Sequence, residues 1–188
     1  MKATVSRLQA NWVYGGALAG VGLLALSPLL TAGWPLGQLL VWLVLPVYML
    51  HQLEEHDGDR FRLFVNATIG RGREALSVRD VFVINVFGVW GVMVVTLWLM
   101  RAVAQGWGLI GIYLVLVNAV LHLVQALAMR RVNPGLWTAL ALFLPLGAWG
   151  LAELGPQETL ALHAVSLAIV VVLHGAIMVT ARRRLASA

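Results

Sequence analysis

Six long apolar stretches alternate with short polar breaks along the chain. They cover residues 11–30, 36–56, 81–100, 107–128, 135–152 and 160–181. A helix needs roughly 17–25 apolar residues to cross the hydrocarbon of a bilayer, and each stretch is close to that length. The pattern predicts an all-α fold, a polytopic bundle of six transmembrane helices in which residues 1–188 form a single transmembrane domain.

Composition supports a membrane protein and narrows its chemistry. Of the 188 residues, 61% are hydrophobic and 11% are charged, whereas soluble domains have about 25% charged residues. The mean hydropathy is +0.87. The chain has no cysteine, so a metal ion would need nitrogen and oxygen ligands, which suit zinc, iron, manganese or magnesium.

The basic residues indicate how the helices are oriented. Every second break is rich in arginine, whereas the intervening breaks hold only Arg101, or Glu153 and Glu158 with no base. By the positive-inside rule, both termini are expected to be cytoplasmic in a bacterial-type inner membrane. Topology thereby explains the net charge of +5, and we expect the lipid bilayer, not nucleic acid, to be the partner. The basic residues of the arginine-rich breaks and of the two terminal segments are Lys2, Arg7, Arg60, Arg62, Arg71, Arg73, Arg79, Arg130, Arg131, Arg182, Arg183 and Arg184.

The second apolar stretch ends on ionisable residues. Glu54 and Glu55 follow His51 by three and four positions, so one face of a helix would carry an imidazole and two carboxylates. Ionisable groups are costly in hydrocarbon, and their presence in a membrane helix indicates a functional site. Because histidine nitrogens and carboxylate oxygens are zinc ligands, this face predicts a metal site.

Polar side chains of three other helices reach a similar depth. At a rise of 1.5 Å per residue, the polar residues of the four helices lie ~9–13 Å from the nearest flanking arginine. In the fourth helix, Asn118, His122 and Gln125 also share one face. Such a polar stripe must face the interior of the bundle. The residues at this depth are His51, Asn85, His122 and His174.

The motifs resemble those of a known family. His51-Gln52-Leu53-Glu54-Glu55 matches the defining motif of the HXXEE family of integral membrane proteins. Asn118-Ala119-Val120-Leu121-His122 is similar to the second motif of that family, and His174 fits its later histidine. The resemblance covers the whole chain by order and spacing. It implies an integral membrane protein but no reaction, because the family is uncharacterised.

The leading hypothesis is a metal-dependent intramembrane hydrolase that acts on a lipid-like substrate in the cytoplasmic half of the bilayer. A catalytic zinc ion lowers the pKa of its bound water to about 7. Glu54 would act as the general base, and Asn118 would donate a hydrogen bond to the developing oxyanion. We expect a divalent metal, zinc before others, to be bound by four side chains: His51, Glu55, His122 and His174.

Two other classes of function stay open. A membrane redox enzyme that oxidises lipid would use iron, or a haem held between His122 and His174. A di-iron site would need about four carboxylates, more than this depth offers. A carrier of metal ions or protons, or a binding protein, is the third hypothesis. The substrate, the oligomeric state and the roles of Asn85, Gln125, His56 and His163 stay open as well.

A cysteine introduced at Ala188 tests the predicted orientation. Because the chain has no other cysteine, an impermeant maleimide should label this position in inverted membrane vesicles and leave it unlabelled in intact spheroplasts. The reverse labelling pattern would invert the topology and move the predicted site away from the cytoplasm.

Overall fold

The computed structural model describes residues 2–187, and over that range the chain is helical with no strand. Short π-helical segments, Val83–Trp90 and Ala139–Phe143, connect α4 to α5 and α7 to α8. The helices are α1 (Lys2–Leu30), α2 (Leu36–His56), α3 (Arg60–Thr68), α4 (Val78–Phe82), α5 (Gly91–Ala102), α6 (Leu109–Met129), α7 (Leu136–Thr138), α8 (Leu144–Leu154) and α9 (Leu160–Ser187).

Six of the helical segments are long and apolar enough to cross a membrane, which confirms the predicted bundle of six helices. Two of them extend well beyond the predicted limits. The second continues to Thr68 instead of residue 56 because it includes α3. The first begins at Ala3 instead of residue 11 because no glycine or proline interrupts the helix there. The segments are Ala3–Leu30, Leu36–Thr68, Val78–Ala102, Gln105–Met129, Leu136–Gln157 and Leu160–Ala186.

α2 lies at the centre of the bundle. It packs against α1, α5, α6 and α8, and the side chains of Val41 and Val44 have no exposed surface. A helix that is apolar on all sides suits such a position, because no face of it needs contact with water. The residues from His51 to Glu55 are on the last turns of this central helix.

A sharp break separates α2 from α3. Gly58 and Asp59 both have left-handed backbone conformations, with φ of 59° and 64°, and these end the helix near residue 56, the predicted limit of the second apolar stretch. After the break, Phe61, Phe64 and Val65 pack against α4 and α9. α3 therefore covers one end of the bundle.

Asn66 holds the loop that follows α3. Its side-chain oxygen accepts hydrogen bonds from the backbone N–H groups of Ala75 and Leu76, each 2.9 Å long. Its amide nitrogen donates to the Leu76 carbonyl over 3.0 Å. Together with α3, this loop forms a cover over the end of the bundle that contains the ionisable residues.

Two glycines allow α1 to approach the bundle closely. A Cβ atom at Gly16 would lie 2.7 Å from the Trp90 ring, and one at Gly20 would lie 3.0 Å from both the Pro46 carbonyl and the Met49 Cβ atom. Gly22 is on the same helix, yet its Cβ position has no atom within 4 Å. Small residues at helix crossings in membranes permit such contact.

Gly20→Leu should destabilise the protein because the new side chain would push α1 away from the backbone of α2. Overpacking of this kind costs about 1–3 kcal/mol. Gly22→Leu is the matched control and should leave stability nearly unchanged. Thermal unfolding in detergent measures both, and an equal effect of the two substitutions would contradict this description of the α1–α2 contact.

Candidate metal centre

Three buried side chains converge inside the bundle. His51, Glu55 and His122 are 0%, 6% and 6% exposed, and one ligand atom from each lies within 4.8 Å of the others. Glu55 Oε2 is 3.6 Å from His51 Nε2, and Glu55 Oε1 is 3.6 Å from His122 Nε2. Ligand atoms at about 2.0–2.1 Å around a tetrahedral zinc ion are about 3.3–3.4 Å apart, slightly less than the distances here, so the three side chains could hold an ion after small movements.

A chain of hydrogen bonds fixes the orientation of His51. Glu54 accepts hydrogen bonds from the Thr138 hydroxyl (2.5 Å) and from the backbone N–H groups of Thr138 and Trp137 (2.7 and 3.2 Å). Since the hydroxyl proton is directed to Glu54, the Thr138 oxygen accepts from His51 Nδ1 at 2.8 Å. The lone pair of His51 is then on Nε2, the atom that faces Glu55.

His122 is oriented in the same way by a loop residue. Its Nδ1 atom lies 2.8 Å from the side-chain oxygen of Asn133, which can only accept. The Asn133 amide nitrogen donates to the His122 carbonyl over 2.7 Å, and this bond fixes the amide. His122 thus also directs the lone pair of Nε2 at Glu55. Metal-binding histidines characteristically donate their other ring N–H to an oxygen in this manner.

Gly135 has no side chain, and this gives the two histidine rings of the cluster the room that they need. Its φ is 90°, and a Cβ atom there would lie 2.8 Å from the Cε1 atoms of both His51 and His122. Only glycine combines this left-handed backbone with so close an approach. The loop from Asn133 to Gly135 therefore encloses the centre and also orients one of its histidines.

A family model described as a protein of unknown function with an HXXEE motif matches residues 42–150, more than half of the chain. The chain belongs to the HXXEE family. The matched segment contains His51, Glu55 and His122 together with Asn133 and Thr138. Neither the curated proteins nor the solved structures gave a match to this HXXEE protein.

The other residues predicted for the site, His174, Glu54 and Asn118, lie outside the three-residue group. His174 lines a cavity next to the cluster but is not part of the three-residue group; its Nδ1 atom bonds to the Val170 carbonyl over 2.9 Å. Glu54, expected to be a general base, has its oxygens bonded to the start of α7 and is not among the described residues that line this cavity. Asn118 does line it, and donates to the Tyr48 hydroxyl over 2.8 Å.

His56 is a third histidine next to the same carboxylate. Its Nε2 atom is 3.1 Å from Glu55 Oε2, and its ring lies between those of Trp12 and Phe61, each with a centroid 5.1 Å away. It also lines the cavity. Its role was left open because it is the last residue of the second apolar stretch, where exposure to water is expected; in the structure it is buried beneath the cover formed by α3.

The remaining polar residues in the membrane have mainly structural contacts. Asn85 accepts a hydrogen bond from Gln52 at 2.8 Å, and Gln52 in turn accepts one from Trp90 at 2.6 Å, so this network joins α2 to the segment that precedes α5. His163 is not part of the cluster; its ring nitrogens contact the Tyr113 hydroxyl (2.7 Å) and the Gly155 carbonyl (3.0 Å). Gln125, in contrast, is one of the residues that line the cavity.

A cavity of about 520 Å³ adjoins the cluster. Its walls are mostly aliphatic and aromatic, and its polar lining includes Glu55, His56, His122 and His174. Ligand pockets typically have volumes of about 300–1,000 Å³. The ionisable cluster thus has access to a space large enough for a small molecule.

Thr138→Val tests whether the three-residue group holds a metal ion, since it should weaken binding of an ion there and yet leave His51, Glu55 and His122 in place. The substitution keeps the shape of the side chain but removes the hydroxyl that joins His51 to Glu54, and loss of such a partner typically lowers metal affinity about 10–100-fold. Thr138→Ser keeps the hydroxyl and is the control. Competition with a chelator measures the affinities, and equal affinity of the Val variant and the unaltered protein would contradict the proposed role of Thr138.

Proposed function

We propose that this HXXEE protein is a metal-dependent intramembrane hydrolase that acts on a lipid-like substrate. The main support is that the Nε2 atoms of His51 and His122 converge on the buried carboxylate of Glu55. The Nδ1 atom of each histidine is already bonded to an oxygen. Two histidines and one carboxylate are a ligand set of catalytic zinc sites, which keep one position for water or substrate.

The contacts of the cluster favour a cation over a simple ion pair. A charged hydrogen bond between imidazole and carboxylate would be about 2.7–2.9 Å long, but the Nε2 atoms of His51 and His122 are each 3.6 Å from a Glu55 oxygen, and the nearest histidine nitrogen, His56 Nε2, is 3.1 Å away. His51 Nε2 is buried and has no hydrogen-bond partner among the described residues. Neutral imidazoles would direct lone pairs at carboxylate oxygens, and a positive ion between them removes the repulsion.

A divalent ion at this position would lower the pKa of a bound water and so supply a nucleophile near neutral pH. The side chains of the protein would hold the ion and contact the substrate. We assign ion binding to His51, Glu55 and His122, and an interaction with the substrate to Asn118, which lines the cavity. Glu54 acts on the centre through Thr138 and is better described as a positioning residue than as the general base.

The same geometry favours the metal centre over a haem between His122 and His174. A haem would need the Nε2 atom of His122 to face the iron, but that atom faces Glu55 at 3.6 Å. His174 lines the neighbouring cavity instead. The arginine distribution supports an orientation with cytoplasmic termini, in which the site is open toward the cytoplasmic half of an inner membrane.

Metal content and hydrolysis should depend on the same residue. Protein purified in detergent without chelator should contain about one zinc ion per chain and hydrolyse fluorogenic long-chain esters or amides, because three ligands leave one position for water. Glu55→Gln should lose the metal and the activity together. Glu153→Gln, near the end of α8, is the control and should retain both.

Two results would contradict the proposal. Protein that contains stoichiometric metal yet hydrolyses neither esters nor amides would have a binding function instead. Hydrolysis that persists in Glu55→Gln after the metal is lost would place the reaction elsewhere.

A further inference from the structure

The cavity next to the cluster opens on the membrane-facing surface. Leu121 and Val124 of α6 and Val171 and Met178 of α9 line it and are also 41–56% exposed. Both helices are among the segments able to cross a membrane, so their exposed apolar side chains face lipid. Near their other ends the two helices are joined by the Tyr113–His163 contact of 2.7 Å. The opening therefore lies in the halves of α6 and α9 that flank the cluster.

Behind this opening the walls are suited to hydrocarbon. Val65 and Leu76 of the cover, Val81 and Ile84 of the third membrane segment, and Ile177 of α9 all line the cavity. Water inside such walls would make few hydrogen bonds, whereas an aliphatic chain would bury apolar surface on all sides. A lipid chain already in the bilayer reaches the opening without crossing water.

One polar atom in the wall of the cavity indicates the head group of this ligand. Asn118 donates its amide N–H to Tyr48, and its side-chain oxygen is buried with no hydrogen-bond partner among the described residues. A buried acceptor of this kind costs free energy until it receives a donor. An amide N–H next to the chain would supply that donor, whereas an ester of the same length would not.

We propose that the cavity binds one aliphatic chain of a long-chain lipid amide, which enters from the bilayer between α6 and α9. The proposal deepens the proposed function, because it places the amide group beside Asn118, Glu55 and His122. In hydrolysis the amide and one water would give a carboxylic acid and an amine: the water oxygen bonds to the carbonyl carbon, the carbon–nitrogen bond breaks, and the amine nitrogen takes a proton.

Gly175 offers a way to close the opening without disturbing the fold. It lines the cavity, and its Cβ position has no atom within 4 Å. Phenylalanine there would stand in the opening. Gly91 also has open space at its Cβ position but does not line the cavity, so Gly91→Phe is the matched control.

The test uses metal-free full-length protein in phosphatidylcholine vesicles that contain palmitamide with a diazirine in its chain. Photolysis should join the probe to α6 and α9 at residues such as Val124 and Met178. Gly175→Phe should reduce this labelling at least fivefold, and Gly175→Leu should give an intermediate loss. Gly91→Phe should label like the unaltered protein. Thermal unfolding checks that each variant is folded.

Competition with unlabelled lipids tests the head group. Palmitamide should compete about 5–10-fold better than methyl palmitate, since one net hydrogen bond contributes about 1 kcal/mol. Equal competition would overturn the amide head, and labelling that is absent, or unchanged in the folded Gly175→Phe variant, would overturn the chain site. Because the protein is free of metal and no turnover is measured, these outcomes are independent of the hydrolase test.

Discussion

The buried carboxylate of Glu55 determines how the helices and loops around it must be arranged. An ionised carboxylate inside a membrane helix is costly unless positive charge or hydrogen-bond donors surround it. Three histidines lie around this group, with nitrogen–oxygen distances of 3.1–3.6 Å. To assemble them, α2 must be central, α6 must lie against it, and the loop at Gly135 must approach without a side chain.

The fold could be predicted largely from hydropathy because a bilayer permits few solutions. Each span must satisfy its own backbone hydrogen bonds, so six apolar stretches imply six helices. The end of α2 at His56 agrees with the predicted limit of the second stretch, but α3 was not predicted, because Arg60 and Arg62 were assigned to a polar break. The cover formed by α3 depends on long-range contacts of Phe61 and Phe64, which no local pattern specifies.

The convergence of His51, Glu55 and His122 could be predicted from helix geometry, whereas the residues that orient the two histidines could not. Spacing of i and i+4 brings Glu55 to His51, and similar depth brings His122 to both. Thr138 and Asn133 were missed because each reaches its histidine from another segment, and no spacing along one helix joins them. Depth alone also grouped His174 with the predicted ligands; in the structure His174 lines the cavity, and its Nδ1 atom bonds to the Val170 carbonyl.

X-ray absorption at the metal edge would show whether His51, Glu55 and His122 hold an ion. The protein, purified without chelator, should contain about one metal ion per chain, with two imidazole nitrogens and carboxylate oxygen at about 2.0–2.2 Å. His51→Ala and His122→Ala should each remove the scattering of one imidazole or abolish binding. A protein that takes up no stoichiometric divalent metal, or a bound metal without imidazole ligands, would contradict the account.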